Sequence, residues 1–226
     1  AWTTTPWTLP SNVALCVNAH EDYCEFQLEG QTYILAQALL HAVFGEKAHE
    51  GQVLKTMKGA ELCGTAYEPL YRFEGITYPR EEGWYVVSDD YVTLTDGTGI
   101  VHIAPVFGED DARVGRDNQL PFVQLVDTQG KFVEGTPWAG EGTKQVNEKI
   151  IEDLRERKLL LAALPFTHNY PFCWRCDTPL LYYARATWFI RMTAVRDELV
   201  KNNRTVNWMP DNIKEGRMGN FLENVV

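Results

Sequence analysis

The first part of the chain alternates apolar and polar positions in the manner of β-strands. Residues 13–17 alternate in this way, and two further alternating runs at residues 23–28 and 33–35 flank a turn at Gly30. A period of two residues predicts strands with one buried face, and the turn between the second and third runs predicts a hairpin. We therefore expect strands and one hairpin in this part of the chain.

Short apolar runs between residues 53 and 94 are separated by glycines and prolines: Gly59, Gly64, Pro69, Gly75, Pro79 and Gly83. This density of turn residues is typical of a small barrel or sandwich. Residues 97–105 then predict a buried strand that runs into a turn. The pattern predicts an α+β fold class with an all-β core, either a barrel or a sandwich, and peripheral helices.

Helical spacing is concentrated after residue 143. The clearest helix is predicted over residues 143–158, where apolar residues recur at helical spacing: Val146, Ile150, Ile151 and Leu154. Further helices are expected at residues 36–44 before Gly45, from Gly108 with an acidic first turn, at 193–200 and after Pro210. Further strands are expected at residues 122–126, 180–183 and 188–190. We expect one domain over residues 1–226, with a β-rich body at 1–142 and a helical connecting part at 143–226.

The composition is that of an ordinary globular protein. Of the 226 residues, 45% are hydrophobic and 23% are charged, which excludes disordered, collagenous and coiled-coil classes. The chain has 31 acidic against 21 basic residues and a formal net charge of -10, which argues against a free-standing basic nucleic-acid-binding module.

The chain shows no sequence signal for a membrane span or for secretion. No apolar run approaches the roughly 18 residues that a bilayer-spanning helix needs. The start at Ala1 lacks an initiator methionine and the layout of a signal peptide, so we expect a piece of a longer protein. Five cysteines, of which only Cys173 and Cys176 have a motif spacing, indicate reduced thiols and a cytoplasmic location.

Residues 3–12 bring hydroxyls, an indole and a carboxamide into one short stretch. A proline-bounded edge segment with β propensity would explain this composition without any ligand. Pro6 and Pro10 also stiffen the backbone, so that the side chains and remaining amides could face a ligand. Trp7 could stack on a nucleobase while the hydroxyls bind a sugar or position a water molecule.

Residues 97–111 form a second candidate, in which a strand and a tight turn lead into a helix. Its Gly-x-Gly lacks the third glycine of a dinucleotide-binding motif, so binding of a nucleotide cofactor is not expected. His102 could be a core histidine, and Asp110 or Asp111 could simply begin the helix. Alternatively, His102 and one carboxylate meet at one rim, where the carboxylate could hold an ammonium group.

Cys173 and Cys176 have the spacing of zinc ligands. A structural zinc site needs four ligands, and the sequence contains no second pair, although His168 could be a third ligand. Half of a zinc site is the preferred interpretation. Buried free thiols come second, and redox chemistry comes last because Pro179 disfavours a long helix after the pair.

Four segments together resemble the connective insertion of isoleucyl-tRNA synthetases, in the class I aminoacyl-tRNA synthetase family: residues 3–12 (TTTPWTLPSN), 97–105 (GTGIVHIAP), 108–111 (GEDD) and 168–176 (HNYPFCWRC). Residues 208–224 look like the segment that leads back into the catalytic domain of that family. The related synthetases for valine and leucine typically carry arginine after the first two threonines, so Pro6-Trp7 favours the isoleucine enzyme.

This resemblance implies an editing domain of the β-barrel type shared by valyl-, isoleucyl- and leucyl-tRNA synthetases. The resemblance to the isoleucine enzyme implies that the domain would hydrolyse the aminoacyl ester of mischarged valyl-tRNA(Ile). By motif position, Asp111 would bind the α-ammonium of the amino acid and act in catalysis. Asp111 rather than Asp110 is chosen by its offset from His102, which would border the side-chain pocket and help to exclude isoleucine.

The same resemblance assigns the terminal adenosine and the attacking water to residues of the first segment: Thr3, Thr4 and Thr5, which are predicted as catalytic, and Asn12, with Trp7 packing nearby. The partners implied are the 3′-terminal adenosine and aminoacyl group of tRNA(Ile) and the rest of the synthetase in the same polypeptide. No membrane partner is implied, and we expect a monomer.

No cofactor is implied for editing. Zinc at Cys173 and Cys176 is implied for the full-length enzyme, with a second cysteine pair elsewhere, and ATP is implied only for a catalytic domain outside this chain. The alternative function is a non-catalytic insertion that positions the tRNA acceptor end. An oxidoreductase that uses the cysteine pair is a weaker alternative.

Overall fold

The structure is a computed structural model that describes residues 1–78, 83–167 and 169–225. Pro79, a predicted turn residue, and His168, a possible third zinc ligand, lie outside these described residues. The described strands are β1 (Ala14–Val17), β2 (Asp22–Leu28), β3 (Gln31–Ala36), β4 (Gln52–Lys58), β5 (Tyr85–Ser88) and β6 (Val101–Ile103). They form two three-stranded sheets in the orders β5-β1-β6 and β3-β2-β4.

The hairpin that the alternating pattern predicts is confirmed by β2 and β3. The two strands pair antiparallel from Tyr23 opposite Ala36 to Leu28 opposite Gln31. Glu29 and Gly30 have φ values of 50° and 80°, the left-handed conformation that two-residue hairpin turns use. β4 pairs antiparallel with the other edge of β2 and completes this sheet.

In the other sheet, β1 runs parallel to β5 and antiparallel to β6. The register places Leu15 of β1 opposite His102 of β6. The buried strand predicted within residues 97–105 is therefore confirmed, and it brings the middle of the chain beside the first strand.

The helices with α geometry are α1 (Leu40–Phe44), α2 (Gly59–Leu62), α3 (Glu109–Asp117), α4 (Thr143–Glu156), α5 (Arg196–Thr205) and α6 (Asn220–Glu223). Short 3-10 helices cover Pro6–Ser11, Gln37–Leu39, Gly45–His49, Met192–Ala194 and Asp211–Ile213, and Lys214–Gly219 is a π-helix. The helices predicted at 36–44, after Gly108 and at 143–158 are confirmed. The helix predicted at 193–200 begins three residues later, after a 3-10 turn.

Three predicted strands do not form. Within residues 122–126, Val126 makes only an isolated bridge to Phe132, and near residues 180–183 the bridge joins Phe172 to Pro179. The apolar residues at 125–126 are buried in the core. Their hydrophobicity is therefore explained by core packing rather than by membership of a strand. At 188–190 the side chains are exposed, from 76% to 99%, and no strand pairs with them among the described residues.

The predicted barrel is not closed in the part of the chain that the structure describes. β3 and β4 are the edges of one sheet, and β5 and β6 are the edges of the other. Closure requires every edge strand to find a partner. The strands are only three to seven residues long, and turns interrupt the chain between β4 and β5. The edge strands therefore have no continuous ladder of hydrogen bonds to a further strand. The α+β class is supported, and the barrel is corrected to two open sheets.

The largest hydrophobic cluster combines β1, β6 and the inner face of α4. Val146, Ile150 and Leu154 of α4 are buried in it, as the helical spacing predicts. α4 also contacts the 3-10 helix Pro6–Ser11. The main packing therefore holds the first residues of the chain against the sheet that carries His102.

The chain divides into two compact units, Ala1–Ala184 and Arg185–Val226. All six described strands and α1 to α4 lie in the first unit, whereas α5 and α6 lie in the second. The assignment of residues 1–226 to one editing domain stays a prediction. No helix in the described ranges is long and apolar enough to cross a membrane.

Candidate functional site

The threonine-rich segment at the start of the chain leads into a 3-10 helix rather than an edge strand. Pro6 occupies the first turn of this helix, where its missing N–H costs no hydrogen bond and its fixed φ suits a helical backbone. The Thr8 amide donates to the Thr5 carbonyl at 3.0 Å, and the Asn12 amide donates to the Leu9 carbonyl at 3.0 Å. The i to i+3 bonding turns the Thr8 side chain back towards Thr5.

A series of hydrogen-bonded groups runs from Thr3 to His102, and we name it the threonine–histidine chain (Thr3, Thr5, Thr8 and His102). The Oγ1 atoms of Thr3 and Thr5 are 3.4 Å apart, and those of Thr5 and Thr8 are 3.3 Å apart. Thr8 Oγ1 lies 3.0 Å from Nε2 of His102. Thr4 is exposed. Two of the three predicted catalytic threonines are therefore linked to the predicted histidine.

His102 is almost completely buried at 7% exposure, on the central part of β6. Burial lowers the pKa of His102 to about 4, because the charged imidazolium loses its hydration. The ring is therefore neutral near pH 7 and does not repel a cationic ligand. Its Nδ1 atom is also buried and has no hydrogen-bond partner among the described residues.

Asp111 lies in the first turn of α3, and its Oδ2 accepts a hydrogen bond from the Ala104 amide at 2.9 Å. Burial raises the pKa of this carboxyl to about 6, and the Ala104 hydrogen bond acts in the opposite direction. Ala104 directly follows β6, so the strand that carries His102 also contacts Asp111. A partly buried carboxylate with a raised pKa is a common feature of functional sites.

The neighbouring carboxylate has a different environment. Asp110 is exposed, and its Oδ1 accepts a hydrogen bond from Nη2 of Arg113 at 3.3 Å. The Arg113 guanidinium also makes a bidentate pair with Asp89 at 2.6 and 2.9 Å. Asp110 is thus part of a surface ion-pair cluster, which favours Asp111 as the carboxylate available to a ligand.

Trp7 and Asn12, both predicted to bind substrate, lie in the interior of the first unit. The Trp7 ring is buried and packs edge to face against Phe107, with 4.7 Å between ring centroids. Asn12 donates from Nδ2 to the Ala14 carbonyl at 2.8 Å and accepts at Oδ1 from the Tyr67 hydroxyl at 2.5 Å. The structure therefore does not bring the Asn12 carboxamide together with the threonine–histidine chain.

Sequence reasoning assigned no role to two residues near the site. Thr8 connects Thr5 to His102, and its spacing of three residues from Thr5 could have indicated a shared helical turn. The hydroxyl of Tyr91 is buried without a hydrogen-bond partner among the described residues. Burial raises the Tyr91 pKa, and the Asp111 carboxylate adds to the effect. No sequence pattern points to Tyr91.

Cys173 and Cys176 lie on a tight turn. The Asp177 amide donates to the Cys173 carbonyl at 2.9 Å, and the Cys173 amide donates to the Thr178 carbonyl at 2.8 Å. A hydrogen bond from the Thr178 hydroxyl is the main reason why the pKa of Cys176 is lowered, which favours the thiolate that zinc binds. Residues 1–78, 83–167 and 169–225 contain no group of three potential metal-binding side chains. A tetrahedral zinc site needs four ligands, so the assignment of Cys173 and Cys176 to half of such a site stays a prediction.

Comparison with known proteins adds a family and a fold. The family model described as tRNA synthetases class I (I, L, M and V) matches residues 26–226. An isoleucine–tRNA ligase from Clostridium novyi (strain NT) is 54% identical over 229 residues, a match that covers 100% of this chain and 21% of that protein. The chain thus spans about a fifth of the length of this relative.

Two solved structures share the fold at low sequence identity. The structure titled GlLeuRS-CP1 has a TM-score of 0.56 and 16% identity, with 73% of this chain and 83% of that chain covered. The P. falciparum cytosolic leucyl-tRNA synthetase editing domain has a TM-score of 0.54 and 12% identity, with 80% of this chain and 78% of that chain covered. At these identities the likeness concerns the fold alone.

Proposed function

Because the chain belongs to the family of class I tRNA synthetases for isoleucine, leucine, methionine and valine, we propose that it is the editing domain of an isoleucine–tRNA ligase. In this proposal it hydrolyses the aminoacyl ester of valyl-tRNA(Ile) after transfer. The relative from Clostridium novyi and the editing-domain title among the solved structures support this choice. Isoleucine and valine differ by one methylene group. In the apolar amino-acid pocket of an isoleucine–tRNA ligase, a known example of this limit, one methylene changes the free energy of discrimination by only about 1–3 kcal/mol. A second site is therefore needed.

The observation that carries the proposal is the position of two complementary groups at β6. The threonine–histidine chain reaches His102 within the strand, and the Asp111 carboxylate is bound to Ala104 directly after it. A row of hydroxyls and a partly buried carboxylate thus contact the same strand or the residue directly after it. This arrangement suits a ligand that carries both an ammonium group and a ribose.

Asp111 binds the α-ammonium of the aminoacyl group through its negative charge. A charge-assisted hydrogen bond between an ammonium and a carboxylate is stronger than a neutral one, and it is strengthened further where water is excluded. With a pKa of about 6, the Asp111 carboxyl is mostly ionised at neutral pH. The α-amino group of an amino acid ester is cationic over much of the same range.

The threonine hydroxyls hold the terminal ribose and the attacking water. The water oxygen attacks the ester carbonyl carbon, the bond from that carbon to the ribose oxygen breaks, and the ribose oxygen takes up a proton. An aminoacyl ester is already activated, so positioning the water supplies much of the rate, and the adjacent ribose hydroxyl can assist. The products are valine and uncharged tRNA.

The remaining partners belong to the same proposal. The rest of the synthetase, in the same polypeptide, contacts the tRNA phosphates, because a chain with a net charge of -10 binds polyanions weakly. Editing uses no cofactor, and ATP is used only in the synthetase's catalytic domain. Cys173 and Cys176 supply half of a zinc site of the longer enzyme. We also propose a monomer in the cytoplasm.

The test is deacylation of valyl-tRNA(Ile) by three versions of the chain. We expect the unaltered chain and Asp110→Ala to hydrolyse the ester, and Asp111→Ala to lose at least 100-fold in kcat/KM, since it removes the charge that holds the ammonium (about 3 kcal/mol). Asp110→Ala is the matched control because it deletes an adjacent, exposed carboxylate. Equal loss in both variants would contradict the role of Asp111.

The alternative functions have their own outcomes. A chain that binds the acceptor end but hydrolyses neither valyl nor isoleucyl ester would support the non-catalytic positioning insertion. Reduction of a disulfide substrate that vanishes in Cys176→Ser would support the oxidoreductase.

A further inference from the structure

The hydroxyl of Thr8 has one proton and three polar neighbours. Its Oγ1 lies 2.8 Å from the Thr5 carbonyl oxygen, 3.0 Å from Nε2 of His102 and 3.3 Å from Oγ1 of Thr5. A carbonyl oxygen can only accept, so the shortest of these contacts uses the Thr8 proton. Thr8 must then act as an acceptor towards His102, and Nε2 must carry the hydrogen.

This assignment determines the state of the other ring nitrogen. A neutral imidazole has a hydrogen on one nitrogen and a lone pair on the other. His102 is buried, which keeps its ring neutral at ordinary pH. With the hydrogen on Nε2, the Nδ1 atom is a bare acceptor, and it has no partner among the described residues.

A buried acceptor without a partner is unusual in a folded protein. Most buried side-chain polar atoms are hydrogen-bonded, and an unsatisfied one carries a desolvation cost. A histidine with a purely structural role would normally use both nitrogens. The free Nδ1 lone pair therefore points to a donor that arrives with the ligand.

We propose that Thr8 is a positioning residue that holds His102 as the Nε2–H tautomer, so that Nδ1 accepts a hydrogen bond from an ammonium N–H of the bound aminoacyl group. The identity of that ligand rests on the proposed function. The tautomer itself does not, because it follows from the contacts of Thr8 with Thr5 and His102. Thr8 need not touch the reacting atoms to act in this way.

The first measurement is the ¹⁵N spectrum of the histidine rings, in which protonated and unprotonated nitrogens resonate far apart. His102→Gln identifies the signals of His102 among the five histidines of the chain. We expect a single Nε2–H form in the unaltered chain. We expect Thr8→Val to give a mixture of tautomers or the Nδ1–H form, and Thr8→Ser to restore the original pattern because it keeps the hydroxyl.

Thr136→Val is a matched control for the loss of a buried hydroxyl. Thr136 is 7% exposed, compared with 5% for Thr8, and its Oγ1 donates to the Val133 carbonyl at 2.9 Å. It therefore has the same kind of bond to a backbone carbonyl as Thr8, but it forms no hydrogen bond with His102. We expect Thr136→Val to leave the His102 spectrum unchanged.

An Nδ1–H form in the unaltered chain would overturn the proposal, even if Thr8→Val fails to fold. An unchanged His102 spectrum in a folded Thr8→Val would also overturn it.

The second measurement is the KM for valyl-tRNA(Ile), which we expect to rise about tenfold in Thr8→Val and to recover in Thr8→Ser. An unchanged KM would overturn the contact between Nδ1 and the ligand. The Nε2–H form in a chain that hydrolyses no ester would support the tautomer and overturn the proposed function.

Discussion

The carboxylate of Asp111 accepts a hydrogen bond from the backbone amide of Ala104 at 2.9 Å. This bond closes the turn between β6 and α3, so the residue proposed to hold the ligand also shapes the end of the strand that carries His102. Asp111 therefore has two separable properties, its negative charge and its acceptor oxygen. Comparison of two substitutions can distinguish them.

Asp111→Asn retains an acceptor for the Ala104 amide, whereas Asp111→Ala leaves that amide unpaired. We predict that the alanine variant is less stable than the asparagine variant by about 1–2 kcal/mol, the cost of an unsatisfied buried donor. Both variants lose the charge, so both should lose deacylation. Urea-induced unfolding and a deacylation assay measure the two effects. Equal stability of the two variants would contradict the structural role of the bond.

The pKa values of Asp111 and His102 predict opposite effects of pH on stability. The Asp111 pKa is raised from 3.8 to about 6, so its stabilising contribution is full below pH 3.8 and is lost as pH rises through about 6. The His102 pKa is lowered from 6.5 to about 4, so its contribution is present above pH 6.5 and is lost as pH falls towards 4. The two contributions oppose each other between pH 4 and 6.

Single substitutions should reveal each contribution. We predict that the free energy of unfolding of Asp111→Asn rises with pH between about 4 and 6.5, and that of His102→Gln falls between about 4 and 6. Each change is on the order of 3 kcal/mol. Urea unfolding followed by tryptophan fluorescence at several pH values measures these slopes. Parallel pH profiles for both variants would contradict the assigned pKa directions.

Gly99 precedes the strand that carries His102, and its backbone requires glycine. Its φ is +71°, and an added Cβ would lie 2.4 Å from the Cβ of Ala36. Gly64 is a matched control, with φ +80° and no atom within 4 Å of an added Cβ. We predict that Gly64→Ala costs about 1–2 kcal/mol through backbone strain alone, and that Gly99→Ala costs about 1–3 kcal/mol more.

Urea midpoints of the two glycine variants measure this difference. The extra cost arises because Ala36 ends β3 and cannot move without disturbing the hairpin. Equal destabilisation of the two variants would show that Ala36 does not restrict position 99.

Tyr67 donates to Oδ1 of Asn12, and this bond offers a test of the structural role of Asn12. We predict that Tyr67→Phe lowers the free energy of unfolding by about 1–2 kcal/mol, because it leaves a buried acceptor unpaired. The KM for valyl-tRNA(Ile) should not change. Tyr33→Phe is the control, since the Tyr33 hydroxyl bonds Gln31 at the surface and its loss should cost little. A raised KM in Tyr67→Phe would instead indicate that Asn12 contacts the ligand.

Sequence periodicity predicted the elements whose pattern is long and regular. α4 presents Val146, Ile150 and Leu154 at helical spacing over four turns, and the β2–β3 hairpin has two alternating strands around a turn that favours glycine. Short apolar runs were less informative. Val123, Leu125 and Val126 are buried in the core, whereas Phe122 is exposed. A run of this length has no period that distinguishes a strand from a buried loop.

The candidate site was predictable in part. Thr3, Thr5, His102 and Asp111 were recognised from their motifs, and the structure places them along or beside β6. The contact between Thr8 and His102 spans 94 residues and depends on the pairing of β1 with β6. No local pattern encodes such a contact, so the roles of Thr8 and of the Nδ1 lone pair emerge only from the fold.

The proposed editing activity can be measured as the rates at which the chain deacylates valyl-tRNA(Ile) and isoleucyl-tRNA(Ile) under identical conditions, after correction for spontaneous hydrolysis. We predict that the valyl ester is hydrolysed well above the spontaneous rate and that the isoleucyl ester is spared. Equal loss of both esters, or loss of neither at high enzyme concentration, would contradict the assignment of an editing activity to this chain.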